Sequence, residues 1–394
     1  MLRFVATRSR RGSELAHGAR VRAGCLRDLS EFKRALDATC RARLESPIPS
    51  LLPMIPARRD ALNAFAVRHL GTLDAPASAA SADASFRSYW RVQHAGQSYI
   101  VMDAPPDKEN LVPFVDIARR LRAGGLNAPE VLSEDRAQGF LLLTDLGTRT
   151  LLPELDPGSV DALYGDALEA LAHMQLHVDA TGLPVYDAAR LCAEMELFPH
   201  WFLGRHLGCE LTATDCDLIN DCMQRLSASA LEQPQVFVHR DYHSRNLMIV
   251  PGNNPGIIDF QDAVLGPVTY DLVSLLKDCY IRWPVESVRA WAEGYRARRH
   301  LDVDANRWQR WFDWMGLQRH LKVLGIFARL NYRDGKSGYL KDLPLVLEYT
   351  LEVCARYAEL AEFGKLLARI TRGVDLTGRS SDRAAGTTPT GDIS

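Results

Sequence analysis

The fold is decided by residues 236–271, which read VFVHRDYHSRNLMIVPGNNPGIIDFQDAVLGPVTYD. Apolar residues 236–238 and 247–250 predict two strands around a polar loop, and residues 257–258 predict a third strand that ends at Asp259. Polar side chains just beyond strand ends are held in position and remain open to solvent. Carboxylate and amide oxygens are ligands that Mg²⁺ accepts. We therefore predict a magnesium site at Asn246 and Asp259.

The order of the polar residues indicates a specific chemistry. His-x-Asp-x-x-x-x-Asn followed by Ile-Asp-Phe is the pattern of the kinase catalytic loop and its metal-binding aspartate. In that pattern Asp241 orients or deprotonates the attacking hydroxyl, while Asn246 and Asp259 hold the metal at the ATP phosphates. His239 is interpreted as a structural brace. Either aspartate alone is equally consistent with an ordinary turn, but the ordered set favours a kinase.

This segment resembles the aminoglycoside phosphotransferase and choline kinase-like superfamily of small-molecule kinases. The resemblance implies an α+β, protein-kinase-like fold of two lobes, with a small antiparallel-sheet N-lobe and a mainly helical C-lobe. It also implies that Asp271 is a buried aspartate supporting the catalytic loop. A helix cap is the alternative for Asp271, and the two roles are compatible.

Periodicity predicts the elements around this segment. Helices are expected at residues 55–70, 111–123 and 159–178, and strands at 89–92, 98–102, 129–132 and 139–144. The resemblance implies that a loop before the first hairpin covers the nucleotide phosphates. No Gly-x-Gly-x-x-Gly occurs there, so Ser85, Arg87 and Ser88 are the candidate phosphate ligands. A plain surface hairpin remains the alternative.

The lysine that kinases place on the third strand is missing from residues 100–103, which read Ile-Val-Met-Asp. Arg91 or Lys108 could supply its charge, and the sequence does not decide between them. Residues 143–146 resemble the family's hinge, so the adenine is expected at backbone groups from Leu143 to Leu146. A simple interdomain linker is compatible with the same residues.

Three stretches carry a narrower resemblance: FPHWFLGRHLG, IDFQDAVLGPVTYDLVSLLKDCY and GIFARLNYRDGK. They are similar to the bacterial anomeric kinases that phosphorylate N-acetylmuramate and N-acetylglucosamine at the C1 hydroxyl in cell-wall sugar recycling. Aromatic and charged residues suit a sugar ligand. The candidate sugar-binding residues are Glu194, Trp201, His206, Arg333 and Asp334. An aminoglycoside or amino-alcohol kinase and a non-catalytic nucleotide-binding scaffold are the alternatives.

Composition limits the partners. The 394 residues are 47% hydrophobic and 24% charged, with a formal net charge of -2, so neither nucleic acid nor an anionic membrane is an expected partner. No apolar run approaches the roughly 18–20 residues that span a bilayer. The eight cysteines lack zinc-ligand spacing, and reduced thiols indicate a cytoplasmic protein. Oligomeric state is undetermined.

The chain is expected to divide into four parts. Arginine-rich residues 1–53 are interpreted as upstream sequence translated in silico, with a disordered tail or a targeting peptide as alternatives. Residues 54–146 form the nucleotide-binding N-lobe, and residues 147–370 form the catalytic, substrate-binding C-lobe. Residues 371–394 are expected to be a disordered tail.

Overall fold

A computed structural model describes residues 56–82 and 86–378 of the chain. The expected extension at residues 1–53 and most of the expected tail lie outside this part. Within it, no helix combines the length and apolar character required to cross a membrane. The described residues form the α+β, kinase-like arrangement that the sequence predicts, with an antiparallel sheet followed by a mainly helical region.

The N-lobe is an antiparallel sheet of five strands in the order β1-β2-β3-β5-β4. A helix precedes the sheet, and a second helix connects β3 to β4. The elements are α1 (Pro56–Leu70), β1 (Ala75–Ala82), β2 (Ser88–His94), β3 (Gln97–Asp103), α2 (Leu111–Ala123), β4 (Val131–Asp135) and β5 (Phe140–Thr144).

Local sequence explains these elements. The hairpin of β2 and β3 turns at Ala95 and Gly96, both with positive φ. Helix α2 is capped by Asn110, whose side chain accepts the Val112 N–H at 3.0 Å, and it buries one apolar stripe. Strand β4 begins later than predicted because Pro129 has no N–H to donate to the ladder.

The C-lobe consists mainly of helices. They are α3 (Val160–His177), α4 (Ala188–Met195), the π-helical turn Phe198–His206, α5 (Ala213–Leu231), α6 (Tyr270–Leu276), α7 (Val285–Arg298), α8 (Ala305–Tyr332), α9 (Leu343–Arg356) and α10 (Ala361–Thr371). Single 3₁₀ turns occur at Leu152–Glu154, Ser337–Asp342 and Ala358–Leu360. The described chain continues past residue 371, and Leu376 is buried against this lobe.

Two short antiparallel hairpins hold the catalytic segment. Strand β6 (Gln235–Val238) pairs with β9 (Val264–Pro267), and β7 (Leu247–Met248) pairs with β8 (Gly256–Ile257). Strand β7 is shorter than predicted because the Ile249 N–H donates to the Arg149 carbonyl at 2.8 Å instead of to β8. The loop between β6 and β7 and the residues after β8 therefore leave neighbouring strand ends.

Helix α8 is the long central element of the C-lobe, with 28 residues that are mostly buried. It crosses the start of the π-helical turn at Gly325. A Cβ atom at this glycine would lie 2.4 Å from the Leu197 carbonyl carbon and 2.6 Å from its oxygen. Glycine is thus required for the close approach that sets the position of α8.

Gly325→Ala is expected to lower the free energy of unfolding by about 2–3 kcal/mol, because the added methyl group overlaps main-chain atoms that cannot move independently. Gly294→Ala in α7 is the matched control: nothing lies within 4 Å of its added Cβ. That change should stabilise the protein by up to about 1 kcal/mol through helix propensity. Urea unfolding measures both, and equal effects would contradict the packing argument.

Candidate active site

The catalytic loop is fixed by a buried carboxylate. Asp271 accepts the main-chain N–H groups of His239 at 2.7 Å and of Arg240 at 2.9 Å. The N-cap of α6 is Thr269, and the Asp271 side chain faces the loop. The structure thus places Asp271 as loop support, the first of its two predicted roles. Burial raises the pKa of Asp271 to about 7, although the two N–H donors act in the opposite direction.

His239 connects the loop to the segment that carries Asp259. Its Nε2 lies 3.1 Å from the Ile258 carbonyl, and its Nδ1 lies 3.2 Å from the Asp241 N–H. Nδ1 is therefore the acceptor and Nε2 carries the proton. Burial lowers the pKa of this imidazole to about 4, so the ring is neutral near pH 7. This is the bracing role that the sequence predicts.

The two predicted metal ligands converge. Asn246 Nδ2 lies 3.2 Å from Asp259 Oδ2 and 3.0 Å from the Asp241 carbonyl oxygen. A further bond, from the Ile258 N–H to the Asn246 carbonyl at 3.1 Å, holds the two segments together. Asp259 has a φ of +63°, which turns its side chain back towards the loop. Asn246 and Asp259 therefore face one site.

The donor set fits magnesium at a phosphate site. Among residues 56–82 and 86–378, no three His, Cys, Asp or Glu side chains converge as a metal cage. Magnesium commonly uses one or two protein carboxylates and takes its other oxygens from phosphates and water. One carboxylate and one amide oxygen next to a phosphate-binding loop match that mode of binding.

Asp241 is surrounded by positive charge. Burial by itself raises the pKa of Asp241, but Lys322, Arg319 and Arg240 outweigh burial and lower the pKa to about 2. Arg319 Nη1 also donates to the Arg240 carbonyl at 3.2 Å. Asp241 is therefore a stable anion at neutral pH, suited to accepting a hydrogen bond from an acceptor hydroxyl.

Sequence reasoning missed Arg319 and Lys322. Both belong to α8, three residues apart and so on one face of the helix. These two residues could have been noticed in the sequence, because charged residues inside a mostly buried helix are rare unless they have partners. Which carboxylate they approach depends on the crossing of α8 with the catalytic loop, and the sequence does not show that crossing.

Glu194 joins this group of charges from α4. It forms ion pairs with Arg240 and with Lys322, the latter at 3.1 Å, and it accepts the Tyr186 hydroxyl. Burial raises the pKa of Glu194, but the two cations outweigh it and keep the pKa below its usual range. Both carboxylate oxygens already have protein partners, so Glu194 orders the cations around Asp241.

Arg87 places a guanidinium from the N-lobe close to Asp259, the predicted metal ligand. Its Nη2 lies 3.8 Å from Asp259 Oδ1. Ser88, at the start of β2, accepts the Trp90 indole N–H at 3.0 Å. Ser85 lies outside the described residues. The segment before β2, predicted to cover the phosphates, thus carries a guanidinium next to Asp259.

Comparison with known proteins agrees with this geometry. The model of the phosphotransferase enzyme family matches residues 76–314, more than half of the chain. The chain belongs to this family. The N-acetylmuramate/N-acetylglucosamine kinase of Pseudomonas aeruginosa is 48% identical over 302 residues, covering 75% of this chain and 89% of the relative. The protein of the same name from Neisseria meningitidis is 42% identical over 307 residues, covering 75% and 91%.

Solved structures share the family fold. The choline kinase LicA of Streptococcus pneumoniae aligns with a TM-score of 0.54 at 12% identity, covering 76% of this chain and 99% of that one. The ADP-bound aminoglycoside phosphotransferase APH(2'')-Ib aligns with a TM-score of 0.52 at 15% identity, covering 74% and 98%. The chain is a phosphotransferase with an alcohol group as acceptor.

In this phosphotransferase, Arg91 lies at the hinge. Its guanidinium donates to Asp145 Oδ1 at 3.1 Å and to the Gly147 carbonyl at 2.9 Å. Burial raises the pKa of Asp145, but hydrogen bonds from Arg91, Ser98 and the Gly147 N–H lower it below the usual range. Arg91 therefore braces the hinge, whereas Arg87 is the predicted phosphate ligand that reaches Asp259.

The structure also locates Lys108, Leu143 and Leu146, the other residues predicted to bind the nucleotide. Lys108 is exposed, 3.5 Å from Asp107 and stacked near Phe86. Leu143 is buried in β5, and Leu146 packs over Gly256 in β8. The residues predicted to pair with adenine thus connect the N-lobe sheet to the strand that leads to Asp259.

Most of the predicted sugar-binding residues bond to groups other than the cations around Asp241. His206 is buried, and its ring bonds to Tyr332 and to the Leu376 carbonyl. Arg333 and Asp334 pair with each other at 2.7 Å, beyond the end of α8. Arg333 is eleven residues past Lys322, about 16 Å along a helix axis. Trp201 is half-buried beside His200. Of these candidates, Glu194 alone contacts the cations around Asp241.

Asp271→Asn is expected to lower the free energy of unfolding by about 1–3 kcal/mol and to reduce kcat. Each carboxylate oxygen of Asp271 accepts one buried N–H group, and an asparagine side chain offers only one acceptor oxygen. Asp262→Asn is the control, since its exposed side chain has the same chemistry. Thermal unfolding and steady-state kinetics report the two effects. An Asp271→Asn protein that matches the control in both would contradict the proposed support of the loop.

Proposed function

We propose that this protein is an ATP-dependent kinase that phosphorylates the anomeric C1 hydroxyl of N-acetylmuramate and N-acetylglucosamine. The observation that carries the proposal is the convergence of Asn246 and Asp259, 3.2 Å apart, next to the anionic Asp241. Relatives at 42–48% identity that bear these substrates in their names support the choice of sugar. A sugar 1-phosphate product fits the recycling of cell-wall amino sugars.

Each residue has a defined part in the mechanism. Asp241 accepts the hydrogen bond of the sugar hydroxyl and aligns its oxygen with the terminal phosphorus of ATP. Asn246 and Asp259 would hold magnesium, which neutralises charge on the phosphate oxygens when bound. With a pKa near 2, Asp241 orients the hydroxyl and takes its proton only as the new bond forms. Such positioning is the main contribution of a protein to phosphoryl transfer.

Arg87 replaces the missing strand lysine in this proposal. Residues 100–103 carry no lysine, and Asp103 there accepts the Arg58 Nε–H at 3.0 Å. Arg91 is bound at the hinge, and Lys108 is exposed. Among the candidates on the N-lobe, Arg87 is the cation that approaches Asp259, so a guanidinium on the phosphate-covering segment would bind the phosphates.

The charge around Asp241 argues against polycationic acceptors. Lys322, Arg319 and Arg240 all act on this carboxylate. A polyamine-like aminoglycoside or a quaternary amine would meet like charges at the point of transfer. A neutral or anionic sugar would not. The complete set of Asp241, Asn246 and Asp259 also argues against a non-catalytic scaffold.

The first test is phosphate transfer from ATP to a panel of N-acetylglucosamine, N-acetylmuramate, kanamycin and choline. We expect turnover of the two amino sugars, with phosphorus NMR placing the phosphate on C1. Asp241→Ala should lower kcat by about 10²–10⁴ and leave MgATP binding largely intact. Turnover confined to kanamycin or choline, or an unchanged kcat in Asp241→Ala, would overturn the proposal.

A second test concerns Arg87. Arg87→Ala should reduce kcat/KM for ATP by about 10- to 100-fold, because a charge-assisted phosphate contact is lost. Lys108→Ala, which removes an exposed cation of the same lobe, is the control and should change kcat/KM less than about threefold. The reverse order of effects would assign the replacement charge to Lys108.

A further inference from the structure

The catalytic loop carries a second arginine, Arg245, which has no role in the proposed mechanism. Arg245 precedes Asn246, and its guanidinium carbon lies 3.5 Å from the centroid of the Tyr280 ring. No carboxylate in residues 56–82 or 86–378 lies within ion-pair distance of Arg245, although most arginines of the C-lobe have such a partner. A stacked guanidinium keeps its N–H groups free at the edge, which suits a planar anion such as a carboxylate.

Tyr280 is itself held firmly, so the position of Arg245 is determined. The Tyr280 ring stacks on Phe327 of α8, with centroids 6.1 Å apart and planes at 29°. The Tyr280 N–H donates to Asp278 at 3.2 Å, and Asp278 also accepts the N–H of Ser244, the residue before Arg245. Arg245 thus faces the C-lobe, whereas Arg87 approaches the metal-binding residues from the N-lobe.

Asp342 provides an unpaired carboxylate near the same place. Its Oδ2 is buried and receives no hydrogen bond from the described residues. Burial raises the pKa of Asp342, and the charges of Lys341 and Arg245 act against burial. Three residues earlier, Tyr339 packs on Phe327 with centroids 5.2 Å apart. In a 3₁₀ turn, residues three apart lie on one side.

We propose that Arg245 and Asp342 form the acceptor subsite of this kinase. Asp342 accepts hydroxyl groups of the pyranose, with Tyr339 beside it, and Arg245 binds a carboxylate substituent of the sugar. Contacts of Tyr280, Phe327 and Tyr339 connect Arg245 to the turn that carries Asp342. A cation and a carboxylate without an ion-pair partner among the described residues are polar groups expected where a ligand completes the hydrogen bonds. The inference rests on the proposed function and adds to it the residues that bind the pyranose and its anionic side group.

The two sugars of the proposed function separate these roles. N-acetylmuramate differs from N-acetylglucosamine by a lactyl ether that carries a carboxylate. Arg245→Gln should therefore reduce kcat/KM for N-acetylmuramate by about 10- to 100-fold and change kcat/KM for N-acetylglucosamine less than about threefold. Asp342→Asn, which keeps the shape of the side chain, should reduce kcat/KM for both sugars by a similar factor. KM for ATP should stay unchanged in both variants.

Arg205→Gln is the matched control, because the Arg205 guanidinium also lies over a tyrosine ring, that of Tyr332, the last residue of α8. Arg205→Gln should leave the ratio of kcat/KM for N-acetylmuramate to kcat/KM for N-acetylglucosamine unaltered. If Arg245→Gln unfolds below the assay temperature, Arg245→Lys tests the same point, because lysine keeps the charge but loses the two-point contact with a carboxylate. Arg245→Lys should lower the ratio of kcat/KM for N-acetylmuramate to kcat/KM for N-acetylglucosamine by a smaller factor than Arg245→Gln.

The outcomes are distinguishable. A wild-type enzyme that phosphorylates neither sugar overturns the proposed function and the subsite with it. A wild-type enzyme that phosphorylates both, combined with an Arg245→Gln variant that lowers both kcat/KM values equally or raises KM for ATP, overturns the subsite alone. A selective loss of N-acetylmuramate turnover, with Asp342→Asn affecting both sugars, supports it.

Discussion

The structure depends on one buried carboxylate, Asp271, which accepts hydrogen bonds from two main-chain N–H groups of the catalytic loop. The loop from His239 to Asn246 has no regular structure of its own, and Arg240 adopts a φ of +78° within it. Such a backbone is retained only where its surroundings hold it. Asp271 binds the first two residues, and Asp278 binds Ser244 further along the loop. Asp241, Arg245 and Asn246 are therefore fixed by bonds made beneath the loop and can face outward.

Helix α8 supplies the second constraint. It places Arg319 and Lys322 under the catalytic loop and Phe327 under Tyr280. Burying a cation is costly unless hydrogen bonds and opposite charges compensate for its lost hydration. Here Glu194 and the Tyr270 hydroxyl, which accepts a hydrogen bond from Lys322 at 3.0 Å, compensate for the burial of Lys322, whose pKa remains above its usual range. The result is a carboxylate, Asp241, that remains ionised inside a largely desolvated site.

The two sides of the site have different chemistry. On the N-lobe side, Arg87 approaches Asp259, where phosphate charge would be neutralised in the proposed mechanism. On the C-lobe side, Arg245 stacks on Tyr280, and neither Arg245 nor Asp342 has an ion-pair partner among the residues that the structure describes. This separation follows from the fold: the N-lobe contributes through a loop before β2, and the C-lobe contributes through the catalytic loop and the turn after α8. In the proposed mechanism, one catalytic segment thereby serves both the nucleotide and the acceptor.

Sequence patterns alone were enough for the fold class, the N-lobe hairpin, the bounds of the first three described helices and the group of Asp241, Asn246 and Asp259. These depend on local periodicity, on turn residues and on spacing within 36 residues, all of which a linear pattern records. Tertiary structure alone decided which distant side chains meet them. Arg319 and Lys322 were overlooked, and His206, Arg333 and Asp334 were expected at the sugar. The reason is physical: a polar side chain reveals its type in the sequence, but its partner depends on how helices cross, and a crossing such as that at Gly325 is set by the packing of residues far apart in the chain.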